Sequence, residues 1–370
     1  MPFLISILTF MVLLGVVVVV HELGHLIVAR ANGVFCEAFS FGFGPVLFAK
    51  KDKKGTEWRW SLFPLGGYVK MFGDADASSV KETIPQGYTE EDMDRMSAHR
   101  KKPWQRLLIA AGGPFANFIF AIFVFFSLSS INGVPEYDTT ITVVSEDSLA
   151  YVSGLRTGDT ITKANGVDIS VFGDLVGQIK KSVGKELSLE LKRENSNCTL
   201  NIKMFKEENG NITPISTIGV SPKGFFYKKV SILESASSAV ISTYTIASEN
   251  IKSIFKIATA QMSTKNVGGI VSIFKISSAS AEAGVASFVL MIAMISTILG
   301  AINLLPIPVL DGGSIVISGI EWLIGKPLNK NFINSIFMVG LFIVMGLMLL
   351  GIWNDLSNCK FFSWLENLFK

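Results

Sequence analysis

The sequence predicts a polytopic α-helical membrane protein of about four transmembrane helices, with a membrane-associated β-hairpin and one inserted β-rich domain. Three observations predict it. Of 370 residues, 49% are hydrophobic, and the mean hydropathy is +0.46. Four segments, 4–30, 106–131, 286–305 and 332–353, are long and apolar enough to span a bilayer. Residues 137–206 differ from both flanks, with short β-rich runs separated by Gly-Asp and Asn-Gly turns. The net charge of +3 is small for the length and argues against a nucleic-acid partner. Cys36, Cys198 and Cys359 lie far apart without a CxxC pair, so neither a disulfide framework nor a cysteine metal site is expected.

The first span is uncharged from Phe3 to Val20 and runs directly into His21-Glu22-Leu23-Gly24-His25. No Lys or Arg precedes Arg30 and no small-residue cleavage site follows the apolar run, so it reads as a retained helix rather than a signal peptide. Two histidines four apart project from one helix face and can bind a single zinc ion. The intervening glutamate lies within reach of a proton on zinc-bound water. The alternative is a chance match on a soluble helix, and the membrane setting weighs against it because ionisable groups are costly there.

The loop after this span carries Lys50, Lys51, Lys53 and Lys54, and the cluster Arg100, Lys101, Lys102 and Arg106 abuts the second span. The positive-inside rule puts this loop in the cytoplasm and both termini outside. Within it, Trp58–Phe63 and Tyr68–Met71 flank Gly66-Gly67, which suggests a hairpin; an interfacial aromatic belt is the alternative. Residues 73–98 are acidic and polar without a period and read as a mobile surface segment. Segment 232–262 reads as an amphipathic helix near the membrane, not a fifth span. The third span ends in Asn303-Leu304-Leu305-Pro306-Ile307-Pro308, where two prolines break the helix. Broken backbone at membrane depth survives only inside protein or along a wet cavity, which makes this a second site candidate. The expected divisions are 1–136, 137–206, 207–285 (a linker with the amphipathic helix) and 286–370.

HELGH in a first span, Gly66–Met71, Gly112-Gly113-Pro114-Phe115-Ala116-Asn117-Phe118 and Asn303–Gly313 occur in this order. The set resembles the site-2 protease family of intramembrane zinc metalloproteases, in particular the bacterial regulator-of-sigma-E protease group. Residues 140–205 resemble a PDZ domain, through Ser148–Leu155, Gly158–Ile161 and Asn165-Gly166. The resemblance implies that His21, His25 and Asp311 bind Zn2+ and that Glu22 is the catalytic base. A tetrahedral zinc with one open position needs a third protein ligand beside two histidines. Asp311 is the only acidic residue between Glu282 and Glu321; its other possible role is to N-cap the following helix. Two departures stand out: Ser314 occupies a position where many relatives have histidine, and one PDZ-like domain is found where better-known relatives have two.

By this resemblance the substrates are single-span membrane proteins, pre-cleaved outside, such as trimmed anti-sigma factors or remnant signal peptides. The setting is the bacterial inner membrane, with the lipid bilayer as a partner, no nucleic acid, and the PDZ-like domain on the periplasmic side. That domain would screen substrates by size or bind new C-termini. A transmembrane substrate must unwind before attack, and a strand edge at Gly66, Gly67, Tyr68 and Val69 is the natural holder. Asn303 either clamps the substrate backbone or ties down its own broken helix. Asn117 reads as a packing or capping residue, His99 as solvated, and Trp58 and Trp60 as interface anchors. A scaffold that has lost its chemistry would lack Glu22 or a ligand, and none is missing. A transporter would show internal repeats, and none is visible.

Overall fold

The computed structural model describes residues 3–73, 88–144, 148–194, 196–208, 211–261 and 268–358. Cys359 and positions 74–87 of the acidic stretch lie outside the described residues. The chain forms two compact units, one of Met1–Leu128 with Ala236–Lys370 and one of Ser129–Ser235. The first begins with helix α1 (Phe3–Ala31), strands β1 (Cys36–Lys51) and β2 (Glu57–Met71), α2 (Glu90–Met96) and α3 (Pro103–Asn132). The second holds β3 (Val134–Tyr137), β4 (Ile141–Val144), α4 (Leu149–Val152), β5 (Thr160–Ala164), β6 (Val167–Asp168) and α5 (Phe172–Lys181). It continues through β7 (Glu186–Arg193), β8 (Ser196–Lys203), β9 (Phe205–Glu208), β10 (Asn211–Pro214), β11 (Val220–Pro222) and β12 (Phe225–Lys228). The chain then returns to the first unit as α6 (Ile232–Ala258), α7 (Ile270–Glu282), α8 (Val285–Asn303), α9 (Asp311–Ile324) and α10 (Lys330–Asn358).

Among the described residues four helices, α1, α3, α8 and α10, are long and apolar enough to cross a membrane. Their ends follow local chemistry. α3 opens on Pro103, whose missing N–H is harmless at a first helical position. α8 stops at Asn303 ahead of Pro306 and Pro308, and α9 ends on left-handed Gly325.

The loop sheet differs from the expected hairpin. Trp58–Phe63 and Tyr68–Met71 do not pair with each other; both flank β1. Ala38 pairs with Lys70 and with Glu57, and Phe41 with Gly67 and with Trp60. Lys50 pairs with Trp58 on the far side, so the lanes run 67–71, 36–41, 57–61 and 46–51. The reason lies in the aromatic core. Phe39 is fully buried, with its ring 5.1 Å from Phe41 and 4.8 Å from Trp58, which makes 36–41 a central lane. A Cβ on Gly67 would collide with the Ser40 carbonyl, so the 67–71 lane needs glycine there. Gly66, with φ 112°, turns the chain into that lane.

The second unit centres on a sheet of order β6-β5-β7-β8, over a core that includes Ile161, Leu175, Leu187, Leu189 and Ile202. Asn165 (φ 52°) and Gly166 (φ 76°) form the tight β5–β6 turn that their dipeptide predicts. The Ser148 hydroxyl accepts a hydrogen bond from the Tyr151 amide and caps α4. Asp159, with its side chain 1% exposed, takes a two-pronged ion pair from Arg193 at 2.8 Å per contact.

This unit is wider than 137–206. Its first strands close only by pairing with later ones, β3 with β12 and β4 with β11, so residues 211–228 belong to it rather than to a linker. The rest of the expected linker is also structured. Ala239 of α6 is buried with Ala121, Val124 and Phe125 of α3 and Ala293 of α8. α7 lies against α1, with Ser6 and Ser278 hydroxyls 2.8 Å apart and Phe10 and Phe274 rings 5.6 Å apart. Asp355 of α10 accepts from the Val271 amide (2.9 Å) and the Ser272 hydroxyl (2.5 Å), fastening the start of α7.

Candidate metal centre

Deep in α1, His21 and His25 stand one turn apart with their Nε2 atoms 3.2 Å from each other. The His21 Nε2 lies 3.0 Å from Asp311 Oδ2, and the His25 Nε2 lies 3.4 Å from Asp311 Oδ1. An ion held tetrahedrally at about 2.0–2.1 Å would set its ligand atoms about 3.3 Å apart, which is the spacing found. His25 Nδ1 donates to the Ile109 carbonyl at 2.8 Å, so its proton sits there and Nε2 keeps its lone pair. Asp311 Oδ2 is buried without a hydrogen-bond partner, a carboxylate oxygen whose charge calls for a cation. Two imidazole nitrogens and one carboxylate oxygen match the donor set of a catalytic zinc with one position left over.

Three backbone approaches build this triangle. α1 and α3 touch: a Cβ on Gly112 would lie 2.7 Å from the Gly24 carbonyl oxygen. Small residues at a helix crossing permit such closeness. One residue on, a Cβ on Gly113 would collide with His25 Nε2 and stand 2.7 Å from His21 Cε1 and Nε2, so the imidazoles occupy the space a side chain would fill. On the third side, residues 304–310 fold back over the start of α9, where a Cβ on Gly312 would meet the Leu304 carbonyl and one on Gly313 the Ile307 carbonyl at 2.5 Å. This fold-back delivers Asp311 to the histidines. Asp311 is the first residue of α9; the N-cap is Leu310 and no side chain caps it, so the capping alternative is not what the fold uses.

The structure brings six of the nine proposed site residues, His21, Glu22, His25, Val69, Asn303 and Asp311, to one locus. Glu22, beside the ligand face, accepts from the Val69 amide at 3.2 Å, which ties the outer lane of the sheet to α1. The Asn303 amide nitrogen lies 3.3 Å from His21 Nε2, at the point where α8 breaks. Gly66, Gly67, Tyr68 and Val69 follow one another into the outer lane, and the Tyr68 ring stacks on Phe43 at 6.0 Å. Gly113 was legible only as part of a motif, without a role. Asn117 is fully buried against His21, not a helix cap; its signal is that no other side chain from Leu107 to Phe126 can hydrogen-bond.

Asp52 anchors the sheet from outside the spans. Burial pushes its carboxyl up, but the Trp58 indole (3.0 Å) and the Arg30 guanidinium outweigh this and hold it at about 2. Arg30 is the last-turn cation of α1, so this contact fastens the sheet to the helix that carries the histidines.

Residues 9–347 match the model of peptidase family M50. Metalloprotease MmpA of Caulobacter vibrioides is 32% identical over 395 residues, covering 99% of both chains. A protein of Agrobacterium fabrum named as a zinc metalloprotease is 32% identical over 360 residues, covering 95% of this chain and 96% of its own. Among solved structures, the PDZ domain of an SdrC-like protein from Listeria monocytogenes is 24% identical, with a TM-score of 0.18, over 24% of this chain and 86% of that domain. With a match running from the first span to the last, over three donor atoms spaced as a zinc ion would need, the chain belongs to peptidase family M50 and is a zinc-dependent metalloprotease of the membrane.

Proposed function

We propose that this protein hydrolyses peptide bonds within the transmembrane segments of single-span proteins, with zinc on His21, His25 and Asp311 and with Glu22 as the base. The observation that carries the reading is the ligand triangle with Glu22 beside it, on a helix apolar enough to span a membrane. Zinc held by these three residues would polarise the scissile carbonyl and activate a water. Glu22 is the residue placed to accept a proton from the attacking water and to hand it to the leaving amine. The outer lane, Gly67 to Met71, is the edge beside which an unwound substrate lies extended, with specificity from pockets for alternate side chains. Its Val69 amide already reaches Glu22, so a chain added there lies next to the base. Asn303 sits within reach of the same place, where its amide can hold a substrate backbone group.

The substrates we infer are short helices already trimmed outside the membrane, such as anti-sigma factors after a first cut or remnant signal peptides. The basic cluster Arg100–Arg106 supports an inner-membrane orientation with the sheet towards the cytoplasm and the β-rich unit outside. That unit, whose sequence resembles a PDZ domain, would admit substrates by size or by a free C-terminus.

The test compares purified protein with Glu22→Gln against a tagged single-span substrate, with and without a zinc chelator. Cleavage by the parent alone, lost on chelation, with unchanged zinc content in the variant, is the expected outcome. Cleavage by Glu22→Gln would remove Glu22 from the role of base. Zinc binding without cleavage of any of several trimmed substrates would favour a scaffold.

A further inference from the structure

Every zinc-binding imidazole must turn a lone pair to the ion, and its other nitrogen then carries a proton that needs an acceptor. For His25 the acceptor is the Ile109 carbonyl of α3. For His21 the group in place is the side chain of Asn117, two turns further along α3, with its amide nitrogen 3.2 Å from Nδ1. In that orientation the amide would donate to Nδ1 and push the ring proton onto Nε2, away from use as a ligand. The Asn117 Oδ1, meanwhile, is buried and has no partner. A side-chain amide has nearly the same shape with its oxygen and nitrogen exchanged. Exchanging them places the oxygen on Nδ1–H, gives it a donor, and leaves the Nε2 lone pair facing His25 and Asp311.

Ile109, Gly113 and Asn117 are spaced four apart and so form one stripe of α3. The stripe gives the histidine pair a backbone acceptor, a glycine that leaves room for the rings, and a side-chain amide in turn. The backbone at Asn117 is held from behind, since the Ser296 hydroxyl of α8 donates to the Asn117 main-chain carbonyl at 3.1 Å.

We propose that Asn117 is a positioning residue of the metal centre, whose amide oxygen accepts from His21 Nδ1–H and holds Nε2 towards the ion. The proposal rests on the reading of His21 as a zinc ligand. Its test uses the full-length protein in detergent, titrated with zinc against a chromophoric chelator and with Co2+ followed by its visible absorption bands. Asn117→Asp keeps an acceptor; Asn117→Leu keeps the bulk and loses it. The expected result is a loss of about 10–100-fold in zinc affinity and altered Co2+ bands for the leucine variant. The aspartate variant should retain at least the parent's affinity and its bands. Equal losses in both variants would assign Asn117 to packing alone, and a leucine variant within twofold of the parent would overturn the proposal. Should the leucine variant not fold, Asn117→Ala is read in the same way. A His21→Ala protein that binds zinc like the parent would instead overturn the ligand reading beneath it.

Discussion

Alanine at Gly113 is the smallest change that should disable this centre. The added Cβ would press hardest on His25 Nε2 and would stand 2.7 Å from both Cε1 and Nε2 of His21, where ordinary heavy-atom contact needs about 3.5–4.0 Å. More than about 1 Å must therefore be found. Separating α1 from α3 opens the touching backbones at Gly24 and Gly112, and turning the imidazole takes Nε2 out of the 3.0–3.4 Å triangle. Either response is an overpacking penalty of about 1–3 kcal/mol. At 1.4 kcal/mol per tenfold, zinc affinity should fall about 5- to 150-fold. The assay is an equilibrium competition between the purified protein and a chelator of known affinity, with Gly346→Ala as control because nothing lies within 4 Å of a Cβ there. Zinc binding by Gly113→Ala within twofold of the parent would refute the claim that the imidazoles use that space.

Other outcomes follow from contacts away from the ligands. Glu321 of α9 is 2% exposed and pairs with Arg106 of α3, so Arg106→Met strands a buried carboxylate and should cost about 3–5 kcal/mol, while Arg106→Met with Glu321→Met costs much less; thermal unfolding of both separates them. Burial pushes the Asp159 carboxyl up, but Arg193 and the Arg156 amide bring it below its usual value. Its stabilising contribution is therefore complete above about pH 3.9 and lost as pH falls through the lower folded value. Pepsin digestion of the intact chain should show the β-rich unit opening only in that acid window, and Asp159→Asn should make it sensitive already at pH 5. For Asp52, held at about 2, the same sign applies, and Asp52→Asn should loosen the sheet from Arg30 at neutral pH, read as faster proteolysis near Lys50–Lys54.

The spans and the paired histidines were legible because each depends on a short-range pattern. An uncharged run of helical length and two histidines one turn apart need no knowledge of the rest of the chain. The sheet lanes were not legible. Residues 36–51 alternate phenylalanine with glycine and include Pro45, which lowers strand propensity, and their pairing doubles back between two arms of β2. Strands β11 and β12 were missed because they pair with partners some eighty to ninety residues earlier, and periodicity carries no information about such pairing. The thirteen residues of α7 are too few to span and rich in serine, so only its packing on α1 and α10 reveals it. Asn117 is the one amide in an otherwise apolar stretch of twenty residues, Leu107 to Phe126, and that interruption is its signal.

The pairing of Val134 with Lys228 has an evolutionary consequence. The chain enters and leaves the β-rich unit through neighbouring, oppositely directed strands, so Gly133 and Lys229 flank a single seam. A module attached at one seam can be gained, duplicated or deleted as a cassette, because a tight turn of a few residues suffices to rejoin the cut ends. His21, His25 and Asp311, the proposed ligands, and Ile109 and Asn117 beside them all lie outside it. Exchange of the cassette would therefore replace the β-rich unit while the unit that carries the histidines, residue for residue, stays as it is.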